Sequence, residues 1–259
     1  MSDVRHLRLG RTLRRGLRAW WDHLGLACAL SAFWTIVAGV TTGMVLQYAS
    51  APGAPAMAAG AVVAVCALAW ATAGIHRAVF QAIEGDEPGA AWLFRLDAGI
   101  TRQAVGLAAI QIVGVVGLAL NIAFYLSLRS PVGIVLGVIF GYMLVLWLSA
   151  CQYQWPLFTA GAMGIIRRDD GSRPRLGSVL RNAFLLTLAA PLYALALGAA
   201  VAAIVVPLTL TGVGLVLIVP GLAAFVTTQA VRDHMVRFGM LPPPDEGGPV
   251  PDSWRVPGA

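Results

Sequence analysis

The sequence predicts an all-α membrane protein with six transmembrane helices in three hairpins and amphipathic interfacial helices on the cytoplasmic side. Two observations predict this. Of 259 residues, 58% are hydrophobic and only 12% are charged, whereas a soluble domain carries about 25% charged residues. The charges are also clustered: residues 23–76, 103–128, 130–166 and 182–231 contain no Asp, Glu, Lys or Arg. This composition excludes an ordinary soluble enzyme, a disordered chain and a secreted disulfide scaffold.

The first element is a basic amphipathic segment within residues 1–23. Leu9, Leu13, Leu17, Trp20 and Trp21 share one helical face, and Arg8, Arg11, Arg14, Arg15 and Arg18 share the other. Such a helix is expected to lie in the membrane interface, with Arg8, Arg11, Arg15 and Arg18 toward anionic head groups and the Leu/Trp face toward acyl chains. The apolar run that follows is too long for a signal-peptide core, so no cleavage is expected near Cys28.

A bilayer crossing needs about 20 apolar residues. On that measure the charge-free stretches hold six spans, roughly 24–49, 57–82, 103–126, 131–155, 180–205 and 212–235, within a membrane domain 24–240. Breaks are expected at Ser50 to Pro55 and near Pro207 to Gly212. Pro156 removes an amide donor from the fourth span, so a kink is expected there, with 157–166 continuing as an interfacial helix. Pro191 and Pro220 are expected to kink the fifth and sixth spans. Residues 241–259, rich in Pro and Gly, read as a disordered tail.

All 18 basic residues are Arg, and only Arg129 falls on the outer side of this arrangement. By the positive-inside rule both termini are expected to be cytoplasmic. The net charge of +6 is then membrane electrostatics, and no nucleic-acid partner is implied.

Amphipathic segments also precede the third and fifth spans: Trp92, Leu93, Leu96 and Ile100 in one, Leu176, Val179, Leu180 and Ala183 in the other. Three repeated units, or evenly spaced hairpins that mimic them, explain this equally. Spans associate through small residues, because lipid tails are as apolar as Leu. Gly39 and Gly43 in the first span, and Gly133, Gly137 and Gly141 in the fourth, are the candidate packing faces, either within one chain or across a homodimer.

No carboxylate or Arg lies within the predicted hydrocarbon core, which argues against an Asp/Glu-coupled pump. The neutral polar residues Gln111, Asn121, Gln152 and Tyr153 are candidates to bind a small neutral solute, or else to join neighbouring helices. Asp22-His23, His76 and Asp233-His234 end three spans on the cytoplasmic side, as polar residues do, and would form a metal or acid–base site only if those ends converge. The three cysteines are scattered through the spans, and no enzyme, cofactor or metal motif occurs.

With these elements placed, the chain resembles the YesL-like family of bacterial integral membrane proteins, over most of residues 5–235. The resemblance rests on Trp21-Asp22-His23-Leu24-Gly25-Leu26, Thr41-Thr42-Gly43-Met44, and Gly85-Asp86-Glu87-Pro88 ahead of Trp92-Leu93-Phe94-Arg95. Asn121 with Phe124-Tyr125, Tyr153 with Pro156-Leu157, and Arg181-Asn182-Ala183-Phe184 ahead of Ala190-Pro191 complete it. Thr41-Thr42 departs from the Gly-Pro of many relatives. The resemblance implies a role near carbohydrate uptake; the reading favoured here is a non-enzymatic accessory or regulatory protein of such a system, with a membrane permease subunit as a candidate partner. It carries over no catalytic residue and no cofactor. A transporter or channel for a small neutral polar solute is the alternative.

Overall fold

The structure is a computed structural model that describes residues 8–49, 54–85, 98–166 and 175–241. The expected tail beyond 241, the Gly85-Asp86-Glu87-Pro88 motif past its glycine, and the expected interfacial segment around Trp92 and Arg95 lie outside the described residues. Those described form nine helices and no strand. They are α1 (Leu9–Asp22), α2 (Leu24–Ala49), α3 (Ala54–Glu84), α4 (Ala98–Ser127) and α5 (Pro131–Ala162). After these come α6 (Leu176–Ala189), α7 (Pro191–Leu210), α8 (Val213–Leu217) and α9 (Val219–Arg237).

Five segments are long and apolar enough to cross a membrane: Leu24–Gln47, Ala58–Glu84, Gly99–Ser127, Pro131–Ala162 and Pro191–Leu210. Continuous apolar runs of this length require a structure that satisfies every backbone group internally, and a helix does so. These helices make the chain a membrane protein.

Local signals set the helix ends. Ser130 caps α5: its Oγ accepts from the Gly133 amide at 3.1 Å, and Pro131 occupies the first turn, where an amide is not needed. Between α7 and α8, Thr211 Oγ1 accepts from the Gly214 amide at 3.0 Å, and Gly212 takes φ +65°, a region that favours glycine. Arg129, in the turn between α4 and α5, has φ +49° and is the one non-glycine with positive φ among the described residues.

The prolines act differently from expectation. The fifth predicted span, 180–205, is not one kinked helix. It is two helices broken at Ala190, which adopts φ −147° and ψ 67°. Proline disfavours a helical conformation in the residue before it, and the Pro191 ring lacks the amide that would continue the ladder. The sixth predicted span is broken at Ile218 into α8 and α9, with Pro220 in the first turn of α9. This break is why no single helix there qualifies as a crossing by length and composition. The break expected near Pro207 to Gly212 is present, at Thr211 and Gly212 between α7 and α8, with Pro207 itself inside α7. Pro156 lies inside α5, and residues 157–161, expected as an interfacial continuation, are buried in the core instead.

α9 sits at the centre. It touches α1, α2, α3, α5, α7 and α8, and an unbroken run from Ala224 to Val231 is buried. Two core clusters form around it. One joins Phe80, Leu107, Tyr153, Phe158, Val179, Leu197, Val226 and their neighbours. The other joins Ala27, Leu30, Ile75, Val79, Ala224 and Phe225, drawn from α2, α3 and α9. Close approach of backbones makes this possible: a Cβ on Gly221 would lie 2.6 Å from the Ala27 carbonyl oxygen, and one on Gly16 would lie 3.1 Å from Val226 Cα.

The outer parts of α4 and α5 are exposed on most sides, from Ile112 to Leu128 and from Val132 to Leu148, with Gly133 and Gly137 buried between them. That distribution suits helices solvated by lipid rather than water.

Candidate functional site

The polar residues of the central helix gather at the end of the molecule that carries most of the described arginines. α9 places Thr227, Thr228, Gln229, Asp233 and His234 in its second half. Asp233 is the hub. Thr12 of α1 donates to its Oδ2 at 2.5 Å, Gln229 donates to its Oδ1 at 2.9 Å, and Arg15 lies 3.7 Å away. Tyr193 of α7 in turn donates to Thr12 Oγ1 at 2.8 Å. One carboxylate thus ties three helices together through charge-assisted hydrogen bonds.

His234 sits beside this hub, 1% exposed. Its ring stands edge-on to Tyr153 and Tyr193, at centroid distances of 5.5 and 5.4 Å. Its Nδ1–H donates to the Ala230 carbonyl at 2.9 Å. A carbonyl only accepts, so this bond fixes the tautomer, and Nε2 of the neutral ring is an acceptor. Neither that Nε2 nor the Tyr153 hydroxyl has a hydrogen-bond partner among the described residues.

A second junction joins α4 to α5. Trp155 Nε1 donates to Gln111 Oε1 at 3.0 Å, and Gln111 Nε2 donates to Gln154 Oε1 at 2.8 Å. The Gln154 amide nitrogen is buried and has no hydrogen-bond partner among the described residues. Gln152 turns elsewhere and donates to the Ala194 carbonyl of α7 at 2.8 Å.

The four residues expected to line a solute path therefore do not converge. Gln111 faces Gln154, Gln152 reaches α7 and Tyr153 meets His234. Asn121 bonds its own helix at the Gly117 carbonyl (2.7 Å), ten residues, or about 15 Å, further along α4. The histidines expected to end three spans also have separate partners. His23 Nδ1–H donates to the Ala19 carbonyl at 3.0 Å while its ring stacks on Phe225, and His76 pairs with Thr228 Oγ1 at 3.2 Å. Among the described residues, no three His, Cys, Asp or Glu side chains come together to hold a metal.

The expected packing glycines divide in two. Gly133 and Gly137 press on α4 residues Tyr125 and Leu126, whereas a Cβ at Gly39, Gly43 or Gly141 would meet nothing within 4 Å among the described residues. Among the α1 arginines, Arg8, Arg11 and Arg18 are exposed as expected, but Arg15 turns toward Asp233 and is half-buried. Sequence reasoning missed Thr12, Gly16, Tyr193 and Gly221, whereas Gln154 was among the neutral polar residues it placed in the fourth span. Thr12 and Gly16 carried a usable signal: small residues one turn apart interrupt the Arg and Leu faces and mark a helix-contact stripe. Compared with protein-family models, with curated proteins and with solved structures, the chain matches none.

Proposed function

We propose that the chain is a non-enzymatic multi-pass protein of the bacterial cell membrane that assists or regulates a solute-uptake system. Its resemblance to YesL-like proteins makes a carbohydrate permease subunit the partner of first choice, with a second copy of the chain as the other. The observation that carries this reading is how the intramembrane polar groups are used. Gln111, Gln152 and Gln154 pair across α4, α5 and α7, and Asn121 pairs with its own backbone, as groups that hold a bundle together do.

In this reading α8 and α9 together make the sixth crossing. Residues 213–231 are free of charge, and 213–237 would span about 37 Å at 1.5 Å per residue. The Arg-rich end and both termini then lie in the cytoplasm, as the positive-inside rule requires.

In-cell cross-linking of the tagged chain, followed by purification in mild detergent and mass spectrometry, tests the role. Stoichiometric recovery of a permease subunit is the expected result, and recovery of the chain alone or only with itself overturns it.

The alternative, a transporter for a small neutral solute, is favoured by one observation. The Tyr153 hydroxyl, Gln154 Nε2 and His234 Nε2 are buried hydrogen-bonding groups without partners among the described residues, and such groups are costly unless something pairs with them. Liposome flux of neutral solutes that is abolished by Tyr153→Phe and Gln154→Leu, with melting temperature retained, would establish that reading instead.

A further inference from the structure

The contact between α1 and α9 fixes the rotation of α1 about its own axis. Thr12 and Gly16 define the side turned to α9, and Leu9, Leu13 and Trp20 pack beside them on the core. Arg15 is held toward Asp233. At 100° per residue this leaves one outward arc. It carries Leu17 and Trp21 along one edge and Arg11, Arg14 and Arg18 along the other, all exposed, with Trp21 67% exposed. Among the described residues, the acid paired with this arc is Asp22, whose pair with Arg18 is long at 3.8 Å and at the surface, a geometry that contributes little.

The position of the arc along the chain matters as much as its composition. A single residue, His23, separates α1 from α2, the first helix apolar enough to cross a membrane. Leu24, also exposed, extends the apolar edge from Leu17 and Trp21 directly into that helix. The basic edge therefore stands at the membrane surface beside an apolar edge that continues into the membrane. An aromatic ring with a polar N–H is suited to that depth, and guanidinium groups bind phosphate through paired, planar hydrogen bonds.

We propose that the outward arc of α1 is a binding surface for an anionic phospholipid, with Arg14 and Arg18 on the headgroup phosphate, Arg11 supporting the charge, and Leu17 and Trp21 against the glycerol and upper acyl chain. It rests on the α1–α9 geometry and not on the accessory or transporter reading.

The test uses the full chain in mild detergent and native mass spectrometry, titrated with phosphatidylglycerol or with phosphatidylcholine of the same acyl chains. Each surface arginine near an anionic lipid adds about fivefold, so the wild-type protein should retain phosphatidylglycerol at least about tenfold more tightly. Arg14→Gln with Arg18→Gln should remove that preference. Trp21→Ala should weaken both lipids and keep their ratio. Arg129→Gln, at the opposite end, should change nothing. Equal retention of the two lipids by the wild type, or an undiminished preference in the double variant, overturns the proposal. If the double variant fails to fold, salt decides on the wild type. A headgroup site on exposed arginines loses its preference when ionic strength rises from 50 to 500 mM, and a preference unmoved by salt sinks the idea.

Discussion

At the scale of single residues, the most consequential group is the Asp233 carboxylate. It accepts from Thr12 and Gln229, and Thr12 accepts from Tyr193. Replacing Thr12 by Val keeps the shape and removes both bonds, leaving a tyrosine hydroxyl and a carboxylate oxygen underpaired. The expected loss is about 1–3 kcal/mol, read as a lower melting temperature of the purified protein in detergent. Because Tyr193 acts through Thr12, Tyr193→Phe combined with Thr12→Val should cost clearly less than the two changes added together. Full additivity would mean that the two hydroxyls do not work as one unit. The pairing was not legible in the sequence: Thr12 and Gly16 mark a small-residue contact stripe, but nothing in it says which helix they meet, and Asp233 lies 221 residues away.

At the scale of elements, the charge-free runs located α2 to α5 well, because the need to cover a bilayer with apolar residues dictates length directly. They failed on α6 and α7, since a run without charge says nothing about where the backbone turns within it. Pro191 held that information, and it ended a helix where a kink had been expected. The role of α1 was also half legible. Arg8, Arg11, Arg14 and Arg18 are exposed, but the turn of Arg15 toward Asp233 and the packing of α1 on α9 were hidden, because the sequence advertises the Leu/Trp face more loudly than the Thr12/Gly16 stripe. Gly16→Leu separates the two roles. A helix resting freely on the membrane would tolerate it or gain from it, whereas here the new side chain meets Val226 backbone, and a loss of about 1–3 kcal/mol is expected. The same logic divides the glycines. Gly221→Ala drives a methyl into the Ala27 carbonyl and should destabilise by about 1–3 kcal/mol. Gly39→Ala and Gly43→Ala meet nothing within this chain and should stay within about 0.5 kcal/mol in melting experiments on the purified protein. A large effect of Gly39→Ala on the state of association, without one on melting, would point to a second chain on that face.

At the scale of the whole molecule, five apolar helices and a broken sixth segment make the topology a direct question. If α8 and α9 complete a crossing, reporters fused before Arg8 and after Leu241 will fall on the same side of the membrane, and one inserted at Arg129 on the other. Five crossings alone would place the two ends on opposite sides. The central place of α9 was beyond reach of the sequence for a physical reason: a helix wrapped in lipid and one wrapped in other apolar helices have the same composition. What distinguishes α9 is its polar second half, Thr227-Thr228-Gln229 and then Asp233-His234, which only a protein environment can satisfy within a crossing.

That central position also sets an order of events in time. α1 and α2 emerge from the ribosome early, yet most of the surface that α1 buries, and part of what α2 buries, belongs to α9, the last helix of the described chain to be made. At synthesis rates of about 5–20 residues per second, the 221 residues between Thr12 and Asp233 take roughly 10–45 s to appear. Through that interval the early helices wait in the membrane with Gly16, Ser31 and His76 facing lipid or one another, and the core closes only when the final helix threads between them. The nascent protein is thus complete in parts long before it is complete as a whole. A chaperone or protease of the membrane that recognises half-built bundles has its widest opportunity in those seconds.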